Sequence, residues 1–257
     1  MIDLHTHILH GIDDGPKTME DSVALARSAV EAGVESIVAT PHHRNGMFTN
    51  SGDMIRSKVQ ELNDLLEYEE VPLEVKPGQE IRINGDILDE LNKGTALTLN
   101  DSRYLLIELS SVEVPSYLKR LFYDLQVAGY IPLIAHPERN KTFVSEPGKL
   151  FDIVTNGAIT QITAEALSGK GGKASQQFCE TLIEHNLAHI ISSDAHGVDH
   201  RPFALAEAYA HIDDVFGPEV SNMFKENAAA IFDDQPVGLD QPEPFEKKKK
   251  KKRFGIF

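Results

Sequence analysis

Seven short apolar runs recur along the chain, separated by stretches with the 3.6-residue spacing of amphipathic helices. The runs are Met1 to His5, Ser36 to Thr40, Leu73 to Val75, Tyr104 to Glu108, Ile131 to Ala135, Ile159 to Thr163 and His189 to Ser193. Between the first two, Met19 to Ala32 reads as a helix: Thr18 is an N-cap candidate with Asp21 three residues on, and Gly33 ends it. Ile55 to Glu67, Ser116 to Ala128 and Ala174 to Glu184 read the same way. Near-continuous apolar strands alternating with helices predict an α/β protein with a parallel sheet covered on both faces, either a βα barrel or a doubly wound sheet. The polar residues favour the barrel, because nearly every unusual His, Asp or Glu follows a strand directly, where βα loops build the active face.

Those polar residues carry the chemistry. His5-Thr6-His7 closes the first strand, and period-2 alternation sends both imidazoles to one side. Asp13-Asp14-Gly15 follows in the same loop. Pro41-His42-His43 ends the second strand, Gln79-Glu80 the third, Glu108 the fourth, His136-Pro137-Glu138-Arg139 the fifth and Ser193-Asp194-Ala195-His196 the seventh. Singly, each reads as a cap or a surface charge; recurring at one end of a sheet, they point to a shared site. Imidazole and carboxylate without thiolate suit Mn, Fe, Zn or Co better than Ca or Mg. So many ligands oversupply one ion, and a carboxylate such as Glu80 can bridge two.

Composition narrows the function classes. The chain has 257 residues, 41% of them hydrophobic, with no repeat and no linker before about residue 230, which suits one domain over residues 1–234. Residues 235–246 are rich in Pro and acid and are expected to be disordered, leading into a Lys-rich tail that ends at residue 257. Lys247 to Lys252 with Arg253 gather seven cations, so the remaining residues hold 18 cationic against 40 acidic side chains, a net −22. Such a body is a poor nucleic-acid binder. The single cysteine, Cys179, excludes an internal disulfide framework, and no apolar run approaches a membrane span. A cytoplasmic protein is expected. The tail, ending in Phe254-Gly255-Ile256-Phe257, is either a solvated end or a contact with the anionic inner leaflet.

His5-Thr6-His7, Asp13 to Pro16, Thr40-Pro41-His42, Pro77 to Glu80, Ile107-Glu108, Ala135 to Arg139 and Ser192 to His196 resemble the ordered motifs of the PHP (polymerase and histidinol phosphatase) family. They are most similar to its bacterial protein-tyrosine phosphatase branch, the CpsB/YwqE type of capsule and exopolysaccharide operons, from the first residue to about Asn227. The resemblance implies a single-domain, distorted seven-stranded βα (TIM-like) barrel with three divalent metal ions, manganese before iron or zinc. It implies one ion on His5, His7, Glu80 and Asp194, a second on Glu80, Glu108 and His136, and a third on Asp14, His42 and His196. The implied reaction is hydrolysis of phosphotyrosine on proteins, including a membrane-associated bacterial tyrosine kinase, by a hydroxide bridging the metals.

Arg139 and Arg201, beside ligand candidates, are the expected guanidinium clamp on phosphate. Glu138 and Asp199 are candidates to assist proton transfer, and His43 and His200 to touch substrate. A thiolate phosphatase needs Arg six positions after its Cys; after Cys179 that position is His185. The competing functions are a small-molecule phosphatase of the same fold such as histidinol phosphatase, an amidohydrolase, and a non-catalytic adaptor that docks on a kinase or membrane.

Overall fold

The computed structural model describes residues 1–245. Its strands are β1 (Ile2–Thr6), β2 (Ser36–Ala39), β3 (His42–His43), β4 (Glu74–Pro77), β5 (Glu80–Arg82), β6 (Tyr104–Glu108), β7 (Ile131–Ala135), β8 (Ile159–Thr163) and β9 (Ile190–Ser192). All pair in parallel, in a three-stranded sheet ordered β1-β2-β4 and a six-stranded sheet ordered β3-β5-β6-β7-β8-β9. Helices connect them, as the alternating pattern predicts, and the whole is one α/β unit. The expected helices appear as Met19–Glu31, Gly52–Tyr68, Leu118–Val127 and Lys173–Glu184, the first with a complete capping box between Thr18 and Asp21.

The count of seven strands in one barrel is not reproduced. The second and third expected strands each break at a proline: β2 gives way at Thr40-Pro41 and resumes as β3, and β4 ends on Pro77 and resumes as β5 in the other sheet. Proline brings no N–H to a ladder, so pairing lapses there. The resumed pieces pair with each other in parallel, His42 opposite Glu80 and His43 opposite Ile81, and Glu80 N–H donates to Pro41 O at 3.2 Å. At the other seam, Thr6 and Ala195 form an isolated parallel bridge, supported by His7 N–H to Ala195 O and Asp194 N–H to His5 O, both 2.9 Å. The first and last strands therefore meet, and they meet at the ligand-type residues.

Two apolar layers hold the unit. The larger lies between sheets and helices, with Ile37, Ile81, Ile107, Leu125 and Phe224 fully enclosed. The smaller fills the space the strands surround, through Leu4, Val38, Leu106, Leu133 and Ile190, and is closed below by Ala228 and Ile231 of the helix Pro218–Phe232. Each enclosed side chain contributes about 1.5–3 kcal/mol relative to exposure. In β6 the alternation Tyr104, Leu106, Glu108 runs from this inner core up to the site, so the strand that buries the core also aims the carboxylate.

Residues 234–245 run under the N-terminal ends of the strands without forming helix or strand. Asp234 pairs with Arg103 at 2.9 Å, and the Tyr104 hydroxyl donates to Gln235 O at 2.7 Å. Asn186 Nδ2 donates to Gln241 O at 2.9 Å, Glu243 N–H donates to His185 O at 2.9 Å, and Phe245 stacks on His185 with centroids 4.1 Å apart. This pinning differs from the disorder expected of the composition, because the body supplies partners that composition does not reveal. The Lys247–Arg253 run lies outside the described residues. No helix among the described residues is long and apolar enough to cross a membrane.

At the foot of β9, His189 is 4% exposed and its Nδ1 accepts the Thr160 N–H at 3.0 Å. Burial lowers its pKa from 6.5 to about 4. Between those values the unfolded chain binds the extra proton and the folded chain does not, so stability rises with pH across the window. Acidification from about pH 6.5 to pH 4 is therefore expected to cost up to roughly 3 kcal/mol from this group. Denaturant titrations at several pH values check it: His189→Asn, whose carbonyl can still accept from Thr160, should flatten that acid limb, and an unchanged slope would contradict the assignment.

Candidate metal centre

At the C-terminal ends of the strands the structure draws together nine side chains: His5, His7, Asp14, His42, Glu80, Glu108, His136, Asp194 and His196. His5, His7, Glu80, Asp194 and His196 are buried, His136 nearly so, His42 and Glu108 half-buried, and Asp14 lies exposed at the mouth. The register of β1 shifts between Asp3 and Thr6, an irregularity of the kind that re-aims side chains beside sites. Gly15 lets the following loop fold back on His7, since a Cβ there would lie 2.2 Å from His7 O. Three site residues hold left-handed backbone, His136 (φ 31°), Asp194 (φ 55°) and Arg201 (φ 52°). Such conformations cost about 1–3 kcal/mol each and gather at functional sites.

The first four donors face one point. His5 Nε2 lies 3.3 Å from Asp194 Oδ1, 3.5 Å from Glu80 Oε2 and 3.3 Å from His7 Nε2. His7 Nε2 lies 3.4 Å from Glu80 Oε2 and 3.3 Å from Asp194 Oδ1. The other ring nitrogens fix the tautomers: His5 Nδ1 meets the side-chain Oε1 of Gln161 at 2.9 Å, and His7 Nδ1 meets Asp13 Oδ2 at 2.7 Å. Each Nδ1 is therefore the donor, and in the neutral rings both Nε2 lone pairs confront each other. A shared cation resolves that confrontation. Donors at about 2.1 Å from a tetrahedral cation stand roughly 3.4 Å apart, which the observed spacings match.

The remaining donors extend the cluster. His42 Nδ1 is 2.8 Å from Glu80 Oε2, yet neither atom has a partner in hydrogen-bond geometry, and Glu108 Oε2 has an ion-pair neighbour in Arg82 Nε at 3.2 Å but no hydrogen bond of good geometry. His136 Nε2 is 2.8 Å from Glu80 Oε1, and Asp14 Oδ1 is 3.4 Å from His42 Nε2 and 3.3 Å from His196 Nε2. Burial opposes ionisation of Glu80, but His5, His136 and His42 hold it well below the usual carboxylate range. Burial and the neighbouring Glu80 charge push Glu108 up. Burial likewise opposes ionisation of Asp194, which His5, His7, Arg139 and Arg201 keep strongly ionised. The cluster thus keeps Glu80 and Asp194 as carboxylates beside several imidazoles, and such nitrogen and oxygen donors suit a divalent transition-metal ion.

Arg139 and Arg201 both donate to Asp194 Oδ2, and Arg201 also meets His196 Nε2 at 2.9 Å. Both line a cavity of about 160 Å³ beside the cluster, whose apolar wall includes Leu109, Pro137 and Phe143. Glu138 belongs elsewhere: the turn Pro137–Arg139 rotates it onto Thr163, whose N–H and hydroxyl donate to it at 3.0 and 2.7 Å. Both bonds fall on its Oε1, which ties a loop, while Oε2 has no hydrogen-bond partner. Asp199 and His200 are exposed, and His43 points to the far side of its strand, 3.5 Å from Glu90. Cys179 is fully buried, and burial pushes its thiol well up. Gln161 and Asp13, which orient the imidazoles, carry no role in the sequence reading. The available signal for Gln161 is a lone amide inside the apolar run Ile159 to Thr163, the one strand without a ligand-type end.

The chain is similar to known proteins over nearly its whole length. Residues 1–233 match the family model described as capsular polysaccharide synthesis, CpsB/CapC. The tyrosine-protein phosphatase YwqE of Bacillus subtilis is 44% identical over 257 residues, covering all of both chains. The tyrosine-protein phosphatase CpsB of Streptococcus pneumoniae is 32% identical over 243 residues, 92% of this chain and 100% of that one. Crystal structures of YwqE and CpsB, described as unique metal-dependent tyrosine phosphatases, include a chain that superposes with a TM-score of 0.94 at 44% identity, covering 96% of this chain and 100% of that one. A histidinol phosphate phosphatase from Lactococcus lactis shares the fold alone, at a TM-score of 0.52 and 16% identity over 83% of this chain and 94% of that one. With a family model matched from the first residue to the end of the last helix, this chain belongs to the CpsB/CapC family.

Proposed function

We propose that this chain is a metal-dependent protein-tyrosine phosphatase that hydrolyses phosphotyrosine on a bacterial tyrosine kinase and its targets in capsule or exopolysaccharide synthesis. The observation that carries the reading is the meeting of two guanidinium groups with nine imidazole and carboxylate side chains at one pocket. In this reading His5, His7, Glu80 and Asp194 hold one ion, Glu80, Glu108 and His136 a second, and Asp14, His42 and His196 a third, with manganese favoured over iron or zinc. Bound there, divalent ions supply Lewis acidity toward the phosphoryl oxygens and lower the pKa of water to near 7.

The protein's own groups do the rest. Arg139 and Arg201 each spend part of a five-donor fork on Asp194, leaving N–H groups free to hold phosphoryl oxygens in a fixed plane. Leu109, Pro137 and Phe143 offer an apolar wall to an aromatic ring. Asp13 and Gln161 keep His7 and His5 in the tautomers that present Nε2 to the cluster. A phenolate, with a conjugate-acid pKa of about 10, departs with little protonation, which suits a pocket where Glu138 Oε1 already accepts from Thr163.

The resemblance in fold to a histidinol phosphate phosphatase keeps a small-molecule phosphomonoesterase as the second reading. Turnover of a phosphotyrosine peptide and of histidinol phosphate, at equal metal content, separates the two. The peptide is expected to have the higher kcat/KM by about 10²-fold or more; the reverse order would overturn the protein-phosphatase reading.

A further inference from the structure

We propose that Arg82 is a specificity determinant that holds a carboxylate side chain flanking the phosphotyrosine of the substrate, a role that rests on the phosphatase reading. Arg82 ends β5 two residues beyond Glu80, on the same side of the strand, so its backbone stands about 6.6 Å nearer the mouth. It lies opposite Glu108 in the β5–β6 register, and its Nε is 3.2 Å from Glu108 Oε2. Glu108 lines the catalytic cavity; Arg82 stands outside that lining, with its side chain 29% exposed. The residue after it is fixed at both backbone groups, since Ile83 N–H donates to Glu108 O at 2.9 Å and the Tyr117 hydroxyl donates to Ile83 O at 3.3 Å. The root of the Arg82 side chain is therefore held in place before any ligand arrives.

Charge balance sets Arg82 apart from the other guanidinium groups on this face. Arg44 is matched by Glu90 at 2.5 Å and Asp86 at 3.4 Å, and Arg139 and Arg201 share Asp194. Among the described residues, Glu108 is the one carboxylate paired with Arg82, and that contact lacks hydrogen-bond geometry. Glu108 is also a candidate metal ligand, so a cation bound there engages the carboxylate that otherwise balances Arg82. What remains is a partly exposed fork with surplus positive charge at the edge of the cavity. A body at net −22 repels acidic substrate segments over most of its surface, and an unmatched guanidinium beside the cavity is where one is accepted. A carboxylate meets the planar fork with two parallel N–H bonds, which a neutral amide cannot do. The step from Glu80 to Arg82 equals the spacing of alternate residues in an extended peptide, which suits an acidic residue within about two positions of the phosphotyrosine.

Fluorescence anisotropy with non-hydrolysable phosphonomethyl-phenylalanine peptides tests the contact by binding alone. One peptide carries Asp on both sides of the phosphonate residue, and its twin carries Asn there. The full-length parent, at saturating manganese, is expected to bind the Asp peptide about 5-fold tighter, the scale of one partly exposed charge pair. Arg82→Gln should bind the two equally, and Arg82→Lys should keep part of the preference. Equal binding by the parent would overturn the proposal. So would an Arg82→Gln variant that weakens both peptides by one factor and keeps their ratio, since that is the result expected if Arg82 merely steadies Glu108. Arg120→Gln, on the outer helix Leu118–Val127, should retain the parental ratio; its loss there would assign the preference to overall charge and overturn the role of Arg82. Hydrolysis of the matching phosphotyrosine peptides is measured beside it. Absent hydrolysis overturns the phosphatase reading, whereas an absent binding preference overturns only the role of Arg82.

Discussion

Glu80→Gln is expected to lower phosphotyrosine turnover by at least 10²–10³-fold, the scale of losing a preorganised electrostatic group. Its oxygens stand within 3.5 Å of nitrogens on four imidazoles, those of His5, His7, His42 and His136. The amide keeps the shape, removes the charge, and offers an N–H₂ that can occupy the Nε2 lone pairs a cation would otherwise use. Metal retained per chain should fall in parallel, while far-UV circular dichroism stays that of the parent, since the inner core beneath does not involve this group. A folded, inactive, metal-poor variant also distinguishes an enzyme from a docking adaptor. Near-parental turnover with full metal content would sink the assignment of Glu80.

The second large effect is expected at Arg139. Its guanidinium is held over Asp194, with Glu165 3.5 Å away, and lines the cavity. Removing a charged partner from a desolvated pair costs about 2–4 kcal/mol, which corresponds to roughly 10²-fold or more in kcat/KM. Arg139→Ala should also weaken inhibition by inorganic phosphate, and Arg139→Lys should recover only part of the loss because an ammonium cannot reproduce the fork. If Arg139 merely steadied Asp194, metal content would drop while phosphate inhibition per loaded site stayed constant. Kinetics at saturating metal separates the two cases.

Most of the architecture was legible because buried parallel strands leave continuous apolar runs. All seven runs became strands, and Thr18 with Asp21 capped the first helix as expected. The breaks at Pro41 and Pro77 were written in the sequence too, but their consequence, a strand that resumes in a second sheet, depends on what lies alongside. The nine clustered residues were legible for a different reason: charged and imidazole side chains at strand ends have no packing reason to recur together. Gln161 escaped notice because an amide inside a strand has no motif, and its role appears only when β8 stands beside His5. Glu138 shares a motif with His136 and Arg139, and the tight turn that sends its Oε1 to Thr163 is invisible to spacing. The approach of Arg201 to Asp194 depends on left-handed backbone at both residues, which neither side chain type announces. The segment after Asp234 lost its expected freedom to partners more than 50 residues away.

The central claim is that the clustered donors hold cations on which turnover depends. Elemental analysis paired with phosphotyrosine turnover, before chelation, after exhaustive chelation, and after adding back manganese, tests it directly. The account predicts about three ions per chain at the start, no turnover once they are gone, and recovery as they return. Undiminished turnover by metal-free protein would contradict it.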